Sequence, residues 1–394
     1  MYTWRDFWIT VITIAVVMGA LQLTCAYLIL LERKIAAWVQ DRIGPNRAGP
    51  RGLFQPIADG LKFLFKEDII PSHVDKVFYL LAPAVAAGTA TLAFAVVPFG
   101  PTSADPGEYQ FVIAPRLDIG ILFTFSITSL AVYGIILGGW SSNDKYSMLG
   151  ALRSSAQLIS YEIPLGLSVL GVILFTGSLN LERAIQQQIE GGWNILYQPL
   201  AFLIFLVGVL AECNRLPFDL PEAEQELVGG YHTEYGALKF GLFFLGEYTH
   251  MITTSFLLAT LFFGGWHVPW LQGWIDGLGF GAVIIKLGVF VLKASFFIVF
   301  YMLLRWTLPR FRFDQLMGLA WKVLIPLALV NLVCVMIVEE AIRANGLSHA
   351  WRWSLLPISL VIVGASAMAA AKLPRRPAQV SLAVPARFET VPRG

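Results

Sequence analysis

Charge is scarce in this sequence: Asp, Glu, Lys and Arg make up 14% of its 394 residues, against roughly 25% in soluble globular chains. An ordinary water-soluble fold is thereby excluded. The formal net charge is only +2, and the basic residues are scattered between hydrophobic runs, which argues against a nucleic-acid surface. Cysteine is nearly absent. Cys25, Cys213 and Cys334 lie far apart in apolar surroundings and offer neither a CxxC pair nor a disulfide framework. The five histidines, His73, His232, His250, His267 and His349, form no HExxH-like pair. No GxGxxG turn follows a strand and no set of four cysteines occurs, so a bound flavin, nucleotide, iron–sulfur cluster or metal is not expected.

What the chain has instead is apolar length. A ~30 Å hydrocarbon layer needs about 20 apolar residues per helical crossing. Candidate segments fall near 7–31, 77–99, 118–140, 156–178, 199–213, 239–264, 284–306, 320–340 and 354–371. The first ends in charge rather than in small residues, so it reads as an uncleaved helix and not as a signal peptide. The fifth is short, and the ninth follows Trp351 and Trp353, which also suit an interface. The expected fold is an all-α polytopic membrane helix bundle of eight to nine transmembrane helices. One domain covers 1–373, and a Pro-rich, flexible cytoplasmic tail covers 374–394.

Orientation follows from the basic residues, because positively charged loops resist translocation. Arg33, Lys34, Arg42, Arg47, Arg51, Lys62, Lys66 and Lys76 crowd the first connection, and most other lysines and arginines fall on the same side. The opposite side holds Arg5, Arg116, Arg183, Arg343 and Arg352. The amino terminus is therefore expected outside and the carboxy terminus in the cytoplasm. The outer connections, 101–115 and 179–192, read as turns and short polar links.

The unusual sequence sits on the inner side. Glu32-Arg33-Lys34 closes the first apolar run, and a Gly- and Pro-rich stretch, Arg42 to Gly52, sets a tight loop. Within 53–67, Phe54, Ile57, Ala58, Leu61, Leu64 and Phe65 recur at helical spacing, while Gln55, Asp59, Lys62 and Lys66 lie off that stripe. This segment is too short and too charged to span, so it is expected to lie on the cytoplasmic membrane surface. It could frame the mouth through which a lipid-soluble substrate enters, or merely anchor the loop. Over 212–238, the carboxylates Glu212, Asp219, Glu222, Glu224, Glu226 and Glu234 are interleaved with Phe218, Leu220, Leu227, Val228 and Tyr231. Crowding of that kind can hold and pass protons near neutral pH; an acidic surface loop facing solvent is the alternative. Glu162, Glu247 and Lys293 fall inside apolar segments, the last two roughly 14 Å deep at 1.5 Å per residue. Such placement costs about 2.5–3.5 kcal/mol and usually marks an ion path. A structural pair of Glu247 with Lys293 fits the same pattern.

Together the run from Glu32 to Asp68, Ser160-Tyr161-Glu162, Glu212 to Tyr235, Gly246-Glu247-Tyr248 and Arg310-Phe311-Arg312-Phe313-Asp314-Gln315-Leu316 closely resemble the H-subunit family of bacterial respiratory complex I, the proton-translocating NADH:quinone oxidoreductase. The likeness covers roughly 7–342. It implies a membrane component of the respiratory chain, in the bacterial inner membrane, docked beneath hydrophilic subunits that carry the terminal cluster and the quinone headgroup pocket, and beside small membrane subunits. It further implies a quinone substrate of ubiquinone or menaquinone type. The resemblance assigns Glu32, Arg33, Arg47, Asp59, Lys62 and Arg215 to the quinone channel. It assigns Glu162, Glu212, Glu222, Glu224, Glu226, Glu234 and Glu247, with Lys293 beyond, to a glutamate-lined proton path. Two features depart from the family: Gly246 stands where alanine is usual, and a helix follows Asn345. Two other readings stay open, the equivalent subunit of a ferredoxin-, F420- or hydrogen-linked complex and a stand-alone secondary transporter. The second would show two related halves, and none is evident.

Overall fold

A computed structural model of the chain describes residues 4–102, 111–115, 117–220, 224–269, 280–345 and 349–372, with single residues between 271 and 277. Every regular element among them is helical. In chain order the helices are α1 (Trp4–Val39), α2 (Gln55–Phe65), α3 (Lys76–Ala93), α4 (Gly120–Ser141), α5 (Lys145–Thr176), α6 (Leu181–Gly191), α7 (Asn194–Tyr197) and α8 (Pro199–Glu212). They continue with α9 (Glu224–Leu227), α10 (Ala237–Phe262), α11 (Phe280–Thr307), α12 (Phe313–Leu319), α13 (Ile325–Asn345) and α14 (Leu355–Lys372). Among the described residues, six stretches are long and apolar enough to cross a membrane: Phe7–Val39, Lys76–Val96, Gly120–Ser141, Lys145–Thr176, Gly281–Thr307 and Phe313–Asn345. Pro199–Glu212 and Trp351–Ser366 add shorter apolar helices. The chain is an all-α, multi-pass membrane helix bundle.

Several boundaries differ from the apolar runs, each for a local reason. α1 continues to Val39, which places Glu32-Arg33-Lys34 inside the helix; Glu32 is buried there because partners from distant parts of the chain neutralise it. α5 begins at Lys145, not near 156. Asp144 caps it, accepting hydrogen bonds from Tyr146 N (2.9 Å) and Ser147 N (3.1 Å), so Glu162 lies midway along the helix rather than near its start. The span expected at 320–340 is a rod from Phe313 to Asn345, with a π-helical turn at Ala320–Leu324 joining α12 to α13. Residues 179–192 are not a plain link. Asn180 caps α6 through Glu182 N (2.7 Å), and Leu181, Ala184, Ile185 and Gln188 bury one face of it. The tail 374–394 lies outside the described residues.

At the centre stands α10, on which every residue from Tyr248 to Phe262 is buried. It packs against α1, α3, α8 and α11. Small residues permit the close approaches. A methyl group on Gly134 of α4 would meet Ala86 N of α3 at 2.8 Å. One on Gly246 of α10 would stand 3.2 Å from Ala86 O, a contact that a shift of a few tenths of an ångström relieves. Alanine at that position is therefore close to tolerated.

Buried amides hold the irregular joints, where backbone groups would otherwise lack partners. Gln157 Nε2 of α5 donates to Ala211 O (2.7 Å) and Phe218 O (2.8 Å), tying the end of α8 to the loop that follows. At the other end of the bundle Gln188 Nε2 donates to Thr260 O (2.8 Å), while its Oε1 accepts from Gly264 N (2.9 Å).

Candidate functional site

The outermost layer of the site is α2 and the loop before it. Lys34 Nζ donates to Arg51 O (2.8 Å), and Arg33 Nη1 bonds Asp59 Oδ2 (2.6 Å), so α1 holds both loop and surface helix. The stripe of Phe54, Ile57, Leu61, Leu64 and Phe65 stays exposed, Phe65 at 85%. That apolar face is not used to pack the bundle, as suits a helix lying on a membrane. Arg47 and Lys62 are also exposed.

Beneath this layer lies a buried knot of charge. Glu32 accepts from Arg215 Nη1 with both oxygens at 3.1 Å, from the Tyr248 hydroxyl at 2.5 Å, and from Arg305. Arg215 Nε also meets Glu247 Oε1 at 3.1 Å, and its guanidinium lies 4.4 Å from the centre of the Tyr248 ring. Glu32, Arg215 and Tyr248 are all at least nine-tenths buried. Two carboxylates thus balance two guanidinium groups, that of Arg215 buried and that of Arg305 partly exposed, the arrangement that makes buried charge tolerable. Burial alone would lower the pKa of Arg215; the charges of Glu247 and Glu32 outweigh it and hold the guanidinium well above its ordinary value.

Glu247 belongs to a second structure as well. It lines a cavity of about 70 Å³ together with Glu162, Glu212, His250, Thr128 and Ser129. Ser129 hydrogen-bonds the Glu162 carboxylate, and His250 Nε2 stands 3.4 Å from Glu212 Oε1. Three glutamates that are far apart in sequence, from α5, α8 and α10, therefore share one space. A water needs about 10–15 Å³ of such volume, so the cavity accommodates several.

The acidic loop is fastened rather than free. Arg310 Nη2 donates to Asp219 O (2.7 Å) and Oδ2 (2.9 Å), and Arg153 pairs with Glu226 at 2.7 Å. The Tyr79 hydroxyl donates to Glu234 O (2.7 Å), and its ring stacks on Tyr235 at 4.2 Å. Burial pushes the Tyr235 phenol up to about 12, so it keeps its proton and donates to Tyr79 O.

Of the residues singled out for a proton path, Glu162, Glu212 and Glu247 come together at the cavity. Glu226 points outward to Arg153. Glu234 is held through its carbonyl, Glu224 opens the short helix α9, and Glu222 lies outside the described residues. Lys293 is not brought to the cavity or to Glu247. Its ammonium donates to Phe263 O (2.7 Å), Gly265 O (2.8 Å) and His267 O (2.7 Å) and lies 4.7 Å from the centre of the Trp193 ring. Of the channel residues, Glu32 and Arg215 meet in the knot, and Arg33 and Asp59 meet at the surface. His250 and Arg305 join the site without having been marked by the sequence pattern. For His250 a signal was available, since it follows Glu247 by three positions, one helical turn; for Arg305 there was none.

The family model described as NADH dehydrogenase matches residues 12–336, a stretch that contains the whole knot and every cavity residue. The chain belongs to this family. A protein of Leptospira biflexa, named as the H subunit of NADH-quinone oxidoreductase, is 53% identical over 312 residues, 76% of this chain and 86% of that protein. One of Geobacter metallireducens, named as H subunit 1 of NADH-quinone oxidoreductase, is 50% identical over 321 residues, covering 81% and 93%. A third, of Cytophaga hutchinsonii and named in the same way, is 49% identical over 304 residues, covering 77% and 88%. The family match ends before α14, so that helix lies outside it, although it packs on α7 and α8, which lie inside.

Proposed function

We propose that this chain is the membrane subunit of an NADH-quinone oxidoreductase, complex I of the bacterial inner membrane, that helps form the quinone channel and couples quinone reduction to proton movement. Electrons reach the quinone through partner subunits; this chain contributes the environment. The single observation that carries the reading is that Glu247 pairs with Arg215 in the buried knot and also lines the cavity shared with Glu162 and Glu212.

Reduction of a quinone, whether of ubiquinone or menaquinone type, consumes two electrons and two protons and changes the charge close to the headgroup while it proceeds. The exposed apolar stripe of α2 and the exposed Arg47 and Lys62 suit an entrance at the membrane surface with hydrophilic subunits docked above it. That orientation puts the amino terminus outside and the carboxy terminus in the cytoplasm. A change of charge near Arg215 is felt by both of its carboxylate partners, since interactions at about 3 Å in a dry interior are strong. Glu32 keeps Arg305 and Tyr248 as partners, whereas Glu247 faces the cavity and can exchange a proton with it. Glu162 and Glu212 then continue the path away from the knot, and the remaining loop glutamates set the field at its cytoplasmic end.

Glu247→Gln keeps the size of the side chain and removes its titration. In the purified complex reconstituted into vesicles, this variant is expected to assemble normally and to lose proton pumping by about ten-fold or more. Pumping at the native rate, with native quinone reduction, refutes the coupling role.

A further inference from the structure

The cavity holds a histidine that the glutamate path does not account for. His250 is buried, 7% exposed, and its Nε2 has no aligned hydrogen-bond partner among the described residues, although Glu212 Oε1 stands 3.4 Å away. A buried polar nitrogen left in that state is unfavourable. The cost is removed by water in the adjoining cavity, or by a modest approach of the carboxylate. Imidazole is the one side chain that accepts a proton on one nitrogen while releasing another from the opposite nitrogen. His250 shares a helix with Glu247, three positions on, and shares the cavity with Glu212 from α8.

We propose that His250 is a proton-handling residue of the cavity, carrying protons between Glu212 and the Glu247 end. The inference rests on the coupling role proposed above and names a further residue for it. In one step the His250 imidazolium releases its Nε2 proton to the Glu212 carboxylate, giving neutral imidazole and neutral carboxylic acid. The charge of the pair is zero before and after, so the transfer needs no compensating ion in the membrane interior. The imidazole then regains a proton from the Glu247 side, and Glu212 passes its own onward. The other titratable groups around His250 are Glu162 from α5, and Cys213 and Tyr231 from the loop beyond α8, with Arg215 behind Glu247. The cavity residues of α3 and α4, Ala86, Ala90, Thr128 and Ser129 among them, contribute no ionisable side chain.

The test uses the whole complex in vesicles, with NADH-driven quinone reduction and proton uptake measured from pH 6 to 9. His250→Asn and His250→Gln both keep a polar group and remove the titration, so either one that assembles suffices. Both are expected to lower coupled turnover by about ten-fold and to remove one limb of the native pH profile. A Glu212→Gln/His250→Gln double variant should be little worse than either single change, as for residues acting in one unit. A pH profile that superimposes on the native one, or a double variant whose losses multiply, overturns the proposal. Glu247→Gln separates the two readings: if it is impaired while the His250 variants keep the native profile, only the role of His250 falls. If Glu247→Gln is itself fully active, the coupling role falls first.

Discussion

Replacing Glu32 by glutamine removes the one group on which Arg215, Arg305 and Tyr248 converge. The knot then carries two guanidinium groups against the single carboxylate of Glu247. Breaking one side of a buried ion pair costs about 3–5 kcal/mol, because the remaining charge stays buried. Two features favour the lower end: the Arg305 side chain is 34% exposed and partly screened, and the amide oxygen still accepts one hydrogen bond. About 3 kcal/mol remains, carried mainly by Arg215, whose side chain is 8% exposed. At 1.36 kcal/mol per factor of ten, opening of the bundle becomes roughly a hundred-fold more frequent. The half-life of quinone-reducing activity on heating the purified complex should shorten by about that factor. Adding Arg305→Met restores neutrality and should recover most of the loss. A single variant as durable as the native complex, or a double variant no better than the single, refutes the account of a balanced knot.

Gln157→Leu leaves the Phe218 carbonyl without its donor, at about 1–3 kcal/mol, and takes one of two donors from Ala211 O, which keeps Asn214 N at 3.3 Å; amide exchange over 213–220 should quicken, and unchanged exchange contradicts the clamp. Arg352→Ala strands buried Glu339, which it grips at 2.7 and 3.2 Å, and removes the guanidinium 4.5 Å from the Phe175 ring centre. A cysteine placed at Leu355, 2% exposed in the native fold, should then become open to a thiol reagent while quinone reduction is kept, because the pair is remote from the knot and the cavity. Loss of quinone reduction with the thiol still protected would contradict that division.

The long apolar runs make the bundle legible from the residues alone, because hydrocarbon thickness imposes a length that no soluble helix has to meet. Where helices end is harder to read. Glu32 looks like the close of a span until Arg215 and Arg305, 183 and 273 positions away, are seen to neutralise it. α6 differs in kind: Leu181, Ala184, Ile185 and Gln188 follow helical spacing behind an Asn cap, a pattern present in the sequence but shorter than a crossing. Six carboxylates crowded into 212–238 suggest a loop that itself stores protons, yet Arg153 fastens Glu226 at the surface and Arg310 ties down buried Asp219. Lys293 invites pairing with Glu247 because both sit mid-helix. Three backbone carbonyls beyond the end of α10 hold it instead, and carbonyls leave no mark in a sequence. His250 is half legible: its place one turn after Glu247 is in the sequence, whereas its neighbour Glu212 arrives from another helix.

α10 carries Glu247, Tyr248 and His250, together with a run of threonines and serine, and it does not figure among the six stretches apolar enough to cross a membrane unaided. Left alone in lipid it would be a poor resident. The surrounding helices must therefore enter first and offer it a polar berth, so insertion of this segment is a late event in biogenesis that reports whether its neighbours have arrived. A chain whose outer helices fail to gather would expose α10 to the bilayer and to quality-control proteases before any proton could leak through it.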